Sequence, residues 1–135
     1  MADVVTSTTI LDGPRQAIMS FTYQYVDTGN ESGVTKVNVS DLQSSADGDT
    51  CSAVRIAEIW YSTVGMTVEI LSDASTDIFI THLPSDFTDH VDMSAFGGLS
   101  SKLGTSPNGD VLFTTTGAGV AGDSYNVVLR MIKDY

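Results

Sequence analysis

The stretch Met19-Ser20-Phe21-Thr22-Tyr23-Gln24-Tyr25 decides the fold class, because apolar and polar side chains alternate through it without a break. A period of two places every second side chain on the same face of a β-strand. Aromatic residues at this spacing are typical of a half-buried strand, so we expect Phe21 and Tyr23 in a core. The stretch therefore predicts a strand between Arg15 and Val26.

The same period recurs along the rest of the chain, in short apolar runs separated by Gly, Asp, Asn and Ser. About eight such runs follow one another at roughly 8–12 residue spacing, which is typical of a sandwich or a jelly roll. No long stretch has helical spacing. We predict an all-β chain, an antiparallel β-sandwich resembling a jelly roll, with at most one or two short helical turns. Its 135 residues correspond to a single domain, residues 1–135.

Three segments leave alternatives open. Between Cys51 and Val64 the apolar phase changes, so either both faces of the strand are covered or a bulge shifts the register near Ala57. Residues 84–98 fit either a helical turn or an edge strand. Residues 40–42 fit a single helical turn capped by Ser40. We also expect Trp60 to be mostly buried.

Two local signals are more definite. Asn108-Gly109 is the strongest short turn signal in the chain. The run from Val34 alternates in a way that places Val37 and Val39 inward and Lys36 outward.

The charge is strongly unbalanced. The chain has 17 acidic against 6 basic residues, a formal net charge of -11, and all but three of the acids are Asp. Asp stabilises turns through hydrogen bonds to its own backbone, which accounts for many of them. Such a surface repels nucleic acid and anionic membranes, so we expect neither as a partner. It suits a basic partner surface or high solubility.

The compartment is indicated by Cys51, which is the only cysteine and cannot form an internal disulfide. Residues 1–5 lack the basic region and apolar core of a signal peptide. No run approaches the roughly 20 apolar residues of a membrane-spanning helix. These features predict a protein made in a reducing cytoplasm.

Possible metal ligands concentrate in one part of the sequence. Histidine and carboxylate side chains bind zinc or non-haem iron, but no pair here has a recognised ligand motif. We therefore favour a solvated acidic loop and expect no metal and no cofactor. The residues are His82, Asp86, Asp89, His90 and Asp92.

Nucleophilic catalysis has little support in the sequence. Cys51 has no histidine near it in the chain, and no Gly-x-Ser-x-Gly motif is present. The glycine run 117–122 precedes a predicted strand, whereas a dinucleotide-binding loop precedes a helix. The sequence predicts no catalytic residues and a protein that is not an enzyme.

Several blocks together resemble a known class of protein. The blocks are Asp12-Gly13-Pro14-Arg15, residues 36–42, residues 56–60, Gly97-Gly98-Leu99, residues 109–115 and residues 122–129. They are similar to small structural proteins of tailed-bacteriophage virions, in particular to head decoration (cement) proteins of β-sandwich type. The resemblance implies a protein on the outside of an icosahedral capsid. There it bridges neighbouring subunits of the major capsid protein, usually as a dimer or trimer.

This resemblance leads to a set of expected protein contacts in the N-terminal arm and in two loops. The residues are Ala2, Val4, Val5, Thr8, Ile10, Leu42, Phe87 and Phe96. Three alternatives stay open. One is a neck or tail protein of the same particle. Another is a carbohydrate-binding module that uses Tyr23 or Trp60 as a platform. The third is a small enzyme or metalloprotein centred on His82 and His90.

Overall fold

The computed structural model describes residues 4–26 and 30–135, and within these ranges the chain forms ten strands and two 3-10 helices. The prediction of an all-β chain with one or two short helical turns is confirmed. The 3-10 helices span Val39–Asp41 and Ser94–Phe96. The strands are β1 (Val4–Asp12), β2 (Gln16–Gln24), β3 (Val34–Val37), β4 (Ala53–Val64), β5 (Thr67–Ser72), β6 (Ile78–Leu83), β7 (Thr88–Asp92), β8 (Leu99–Ser100), β9 (Val111–Thr116) and β10 (Ser124–Asp134).

Two antiparallel sheets contain these strands. The large sheet has the order β1-β2-β10-β4-β7, with the two-residue β8 also paired to β4, and the small sheet has the order β3-β9-β5-β6. The set β2-β10-β4-β7 facing β3-β9-β5-β6 has the strand order of a jelly roll. Strand β1 lies outside this set, since among the described residues it pairs only with β2. The segment 84–98 contains the edge strand β7 followed by a 3-10 helix, which resolves the alternatives there.

Aromatic side chains from both sheets meet in the core. The rings of Phe21 on β2 and Phe113 on β9 pack edge to face with centroids 5.3 Å apart. Tyr125 on β10 contacts Phe113 at 5.8 Å and stacks on Tyr23 at 5.5 Å. All four side chains are at most 2% exposed, so the predicted core role of Phe21 and Tyr23 is confirmed. Such pairs add to the stability that burial of their area provides.

A β-bulge in β4 explains the change of apolar phase. Glu58 pairs with Arg130 and Ile56 pairs with Met131, which leaves Ala57 without an opposite residue on β10. Ala57 is fully buried, and its carbonyl accepts a hydrogen bond from the Met93 N–H at 2.7 Å. Of the two alternatives for this strand, the structure therefore has the bulge.

Two side chains face opposite to their predicted directions. Lys36 is buried, because the β3–β9 register shifts between Thr35 and Val37 and turns the lysine inward. Trp60 is 37% exposed, because the bulge at Ala57 places it on the outer face of the large sheet. Period two assigns alternate faces, but a bulge reverses the assignment for the residues beyond it.

The predicted turns are present with small changes. The first 3-10 helix begins at Val39, and its cap is Asn38, whose side-chain oxygen accepts from the Ser40 N–H at 3.2 Å. Gly109 has a φ of +90°, as the turn signal implies. The turn joins strands of different sheets, β8 and β9, rather than the two strands of a hairpin.

Candidate functional site

Strand β1 is an edge strand with neither face covered. All residues from Val4 to Leu11 are exposed, and the apolar Val4 and Ile10 are 49% and 58% exposed. Its pairing with β2 is regular up to Thr9 and shifts register at Ile10. Within residues 4–26 and 30–135, no strand pairs with the other edge of β1. The outward N–H and C=O groups of that edge are a template for another chain.

The end of β1 is fixed to the body of the domain by a buried lysine. The Lys133 side chain on β10 is 0% exposed, and its Nζ donates hydrogen bonds to the Asp12 carboxylate, to the Gly13 carbonyl at 2.6 Å and to the Gln43 carbonyl at 2.9 Å. A buried ammonium needs such partners, because desolvation penalises an unpaired charge. Strand β1 is therefore anchored at its C-terminal end.

Exposed aromatic side chains lie at the opposite edge of the sandwich. Strand β6 ends the small sheet and β7 ends the large sheet. Phe79 on β6 is 57% exposed, and Phe87 and Phe96, which flank β7, are 49% and 67% exposed. The Phe87 ring stacks on Tyr61 with centroids 6.4 Å apart, which leaves its other face outward. Phe87 lies beside Thr63 and Phe96 lies near Arg55, toward the two ends of β4, so the exposed phenylalanines are spread along this edge.

The predicted contact residues fall into three groups. The prediction that Leu42 contacts a partner is wrong, because the residue is only 8% exposed and its side chain lies in the hydrophobic core. Ala2 lies outside the described residues. The remaining predicted contacts are exposed and lie at the two edges: Val4, Val5, Thr8 and Ile10 on β1, and Phe87 and Phe96 beside β7.

A buried polar network between the sheets had no signal in the sequence. The Glu31 carboxylate accepts hydrogen bonds from Lys36 Nζ and from the Tyr125 hydroxyl, each at 2.6 Å. The Lys36 and Glu31 side chains are only 3% and 9% exposed. Burial, followed by the contact with Glu31, raises the pKa of Tyr125 well above its usual range. The tyrosine therefore stays neutral and acts as a hydrogen-bond donor to the ion pair.

The histidines and acids of the predicted metal-binding region are spread over both sheets. His82 lies on β6 opposite Glu69, whereas His90 lies on β7 opposite Trp60. Asp92 accepts two hydrogen bonds from Ser94, which lower the pKa of its carboxyl group. Across the described ranges, no three His, Cys, Asp or Glu side chains gather as a group that could hold a metal ion.

Cys51 has the environment of an inert thiol. The residue is 2% exposed, and its Sγ donates to the Ala53 carbonyl at 3.2 Å. Burial raises the pKa of the thiol. Since the thiolate is the nucleophile, a buried thiol of raised pKa is unsuited to covalent catalysis.

A shallow apolar depression lies on the outer face of the large sheet. Its centre is Trp60, whose indole is parallel to the His90 ring with centroids 4.7 Å apart. Glu58 lies beside this pair, 3.6 Å from His90 Nε2, and accepts a hydrogen bond from Arg130 Nε at 2.7 Å. The depression is also lined by Val128, Tyr61 and a rim of polar side chains: Ser62, Thr88, Asp89 and Asn126.

No protein-family model, curated protein or solved structure matches this chain. No helix within the described residues is long and apolar enough to cross a membrane. A proposal for the function of this chain therefore depends on the geometry of its two sheet edges and of the outer face of the large sheet.

Proposed function

We propose that this chain is a structural protein of a tailed-bacteriophage virion and not an enzyme. In this proposal it is made in the host cytoplasm and binds the outside of the head. There it bridges neighbouring subunits of the major capsid protein and so stabilises the shell. Binding to the assembled shell stabilises that state by mass action, without any chemical step.

The observation that carries the proposal is the position of the exposed apolar side chains. Of the fourteen large apolar side chains that are exposed in the described residues, eight lie at two opposite edges of the sandwich, four on β1 and four on or beside β6 and β7. A protein with adhesive surfaces on opposite sides can connect two neighbours, whereas a single binding site cannot. Aromatic side chains such as Phe96 are also the residues that most often dominate protein interfaces.

The charge supports the same proposal. A net charge of -11 keeps the free protein soluble before assembly and favours a partner surface of basic character. The outer face of the large sheet carries the ion pair of Glu58 with Arg130, and the buried cations Lys36 and Lys133 are each neutralised by a carboxylate. Little positive charge is thus left for binding nucleic acid.

The proposal is tested by counting copies in the particle. Virions purified from the phage that encodes this chain are expected to hold hundreds of copies if it decorates the head, and about a dozen if it belongs to the neck, by the symmetry of each assembly. Quantitative mass spectrometry against the major capsid protein measures the ratio. Absence from washed particles contradicts the proposal.

Replacing Phe96 with Asp is expected to weaken binding of the purified protein to particles that lack it by at least about tenfold, or ~1.4 kcal/mol, as for an aromatic interface residue. The matched control is Val120→Asp, because Val120 is equally exposed, at 68% against 67%, but lies in the loop between β9 and β10. Both variants should unfold at the temperature of the unaltered protein. If the two variants lose the same amount of binding affinity, the loss comes from the added negative charge and not from a contact made by Phe96.

A second candidate function is supported by the outer-face depression. The accessible lining of the depression is almost wholly apolar, so with its exposed indole it offers a floor for the apolar face of a sugar ring, and Ser62, Thr88, Asp89 and Asn126 border it. The alternative platform residue, Tyr23, is 2% exposed and belongs to the core. A carbohydrate-binding role therefore depends on Trp60 alone.

Glycan-array binding tests this candidate. We expect any signal to be lost in Trp60→Ala and kept in Val64→Ala, which removes an exposed side chain from the same face of the same strand. If Trp60→Ala still binds glycans, the depression is not the binding site. If the unaltered protein binds no glycan on the array, the carbohydrate-binding function is excluded for the glycans tested.

A further inference from the structure

The edge strands of this fold differ in charge. Strand β7 carries Asp89, His90 and Asp92, and β3 is four residues long and carries Lys36. The longest edge strand, β1, has no charged residue between Val4 and Leu11, although the chain holds 17 acids. Natural sheets protect edges with charges or short strands, and the eight residues from Val4 to Leu11 are the longest uncharged edge among the described residues.

We propose that β1 pairs antiparallel with β1 of a second copy, about a two-fold axis that passes through Ser7. This inference rests on the proposed function in treating the chain as a structural protein, and it identifies what occupies one of its two edges. The two large sheets then form one continuous sheet across the dimer, which is the geometry of strand addition.

The symmetry fixes the register. A two-fold axis normal to a sheet keeps each side chain on its own face, so only residues on the same face can lie opposite one another. With the axis at Ser7, that residue faces Ser7 of the partner subunit, and Thr6 faces Thr8 of the partner subunit. Further out, Val5 faces Thr9 of the partner subunit. Hydroxyl groups thus meet at the centre, and each end of the regular contact pairs a valine with a threonine.

The strand geometry agrees with this register. Pairing of β1 with β2 is regular from Val4 to Thr9, and the bulge falls at Ile10, just beyond the Val5–Thr9 pairs of this register. The regular part of the strand is therefore the part that pairs. Residues Val4 to Leu11 are all exposed, so among the described residues no side chain covers the strand that a second copy would meet.

The charge argues for a second copy rather than a different partner. Like charges placed directly opposite destabilise strand pairs, and this register places no charge opposite another. A partner chosen by electrostatic attraction needs charge on the strand, and β1 has none before Asp12, whose carboxylate is paired with Lys133. Two chains of net charge -11 still repel at longer range, and salt screens that repulsion. Added salt should therefore tighten the dimer, whereas it loosens a complex between opposite charges.

The arrangement has a consequence for bridging. Pairing through β1 leaves the β6 and β7 edges of both copies at the two far ends of the dimer. Each end carries the exposed Phe79, Phe87 and Phe96, so one dimer offers two identical surfaces to the shell. The two copies of the surface also raise the strength of attachment through effective concentration.

Cysteine cross-linking of the full chain tests the register. In Ser7→Cys the two thiols lie on directly opposed residues, whose Cα atoms are about 4.5–5.5 Å apart in such pairs and within disulfide reach. In the control Thr9→Cys, the two thiols are offset by four residues, about 13 Å along the strand, and cannot join. The native Cys51 is buried and adds no background. Under mild oxidation we expect a covalent dimer from Ser7→Cys and none from Thr9→Cys.

Sedimentation gives the second readout. The unaltered protein is expected to have the mass of two chains, more completely at higher salt, and Ser7→Lys to have the mass of one chain because two ammonium groups then face each other. Ser7 is exposed, so the circular dichroism of the variant should be unchanged. A single-chain mass for the unaltered protein at the highest soluble concentration overturns the proposal, and so does equal cross-linking of the two cysteine variants. If the protein is a dimer but is absent from virions, the proposed function is wrong and the dimer inference stands. If the protein is a monomer but is present in virions, the dimer inference is wrong and the proposed function stands.

Discussion

Replacing Glu31 with Ala is expected to lower the free energy of unfolding by about 3–5 kcal/mol, the usual cost of leaving a buried charge without its partner. The substitution leaves the Lys36 ammonium at 3% exposure without a counter-charge and removes the acceptor of the Tyr125 hydroxyl. Lys36 lies 6.0 Å from the centroid of the Phe113 ring, in the centre of the sandwich. Urea unfolding measures the loss as a shift of the midpoint at constant slope.

An exposed ion pair of the same chain provides the control. Arg55 Nε lies 3.2 Å from the Asp134 carboxylate, but these side chains are 37% and 40% exposed. Asp134→Ala should therefore cost less than about 1 kcal/mol. The double variant Glu31→Leu with Lys36→Met removes both buried charges and should regain the part of the loss due to the unpaired ammonium, but not the part due to the unpaired Tyr125 hydroxyl. Equal losses for Glu31→Ala and Asp134→Ala mean that water reaches Lys36 and that the network is not a buried one.

Replacing Gly109 with Ala is expected to destabilise the fold by about 3–4 kcal/mol, which combines left-handed backbone strain with overpacking. Gly109 has a φ of +90°, and a Cβ atom there would lie 2.0 Å from the Ser52 carbonyl oxygen. The surrounding chain has no freedom to shift, because the Gly109 carbonyl accepts from Ser101 Oγ at 2.6 Å and Ser101 Oγ accepts from the Val54 N–H at 3.0 Å. The loop therefore holds the start of β4 in place.

Gly48 separates the two contributions. Its φ is +89°, almost the same as that of Gly109, but a Cβ atom there has nothing within 4 Å. Gly48→Ala should thus cost only the strain of the left-handed conformation, about 1 kcal/mol. Calorimetry should show a fall in Tm of more than about 10 °C for Gly109→Ala and of about 4 °C for Gly48→Ala. Similar falls for the two variants contradict the close contact with Ser52.

The sequence is most informative where side chains alternate without interruption. The alternation in β2 predicts correctly that Phe21 and Tyr23 lie in a core, because period two is a local property of a strand. The bulge at Ala57 is also visible in the sequence as a change of phase, although the sequence alone cannot choose it over a strand covered on both faces.

The features missed depend on contacts between distant parts of the chain. Lys36 faces inward because of a register shift against β9, and Leu42 is buried in the core shared by both sheets. The residues next to Lys36 and Leu42 in the sequence give no signal of either burial. The exposure of both faces of β1 could not be predicted for the same reason, since the sequence of a strand does not show whether a second sheet packs over it. The predicted contacts Val4, Val5, Thr8 and Ile10 on β1 are nevertheless exposed.

The stacking of Trp60 on His90 gives this molecule a built-in optical probe. Trp60 is the single tryptophan of the chain, so the whole indole fluorescence comes from one point on the outer face of the large sheet. Because the Trp60 side chain is 37% exposed, its emission changes when a neighbouring molecule excludes water from the indole. Unlabelled protein can therefore report, by intensity and wavelength, whether anything settles on that face.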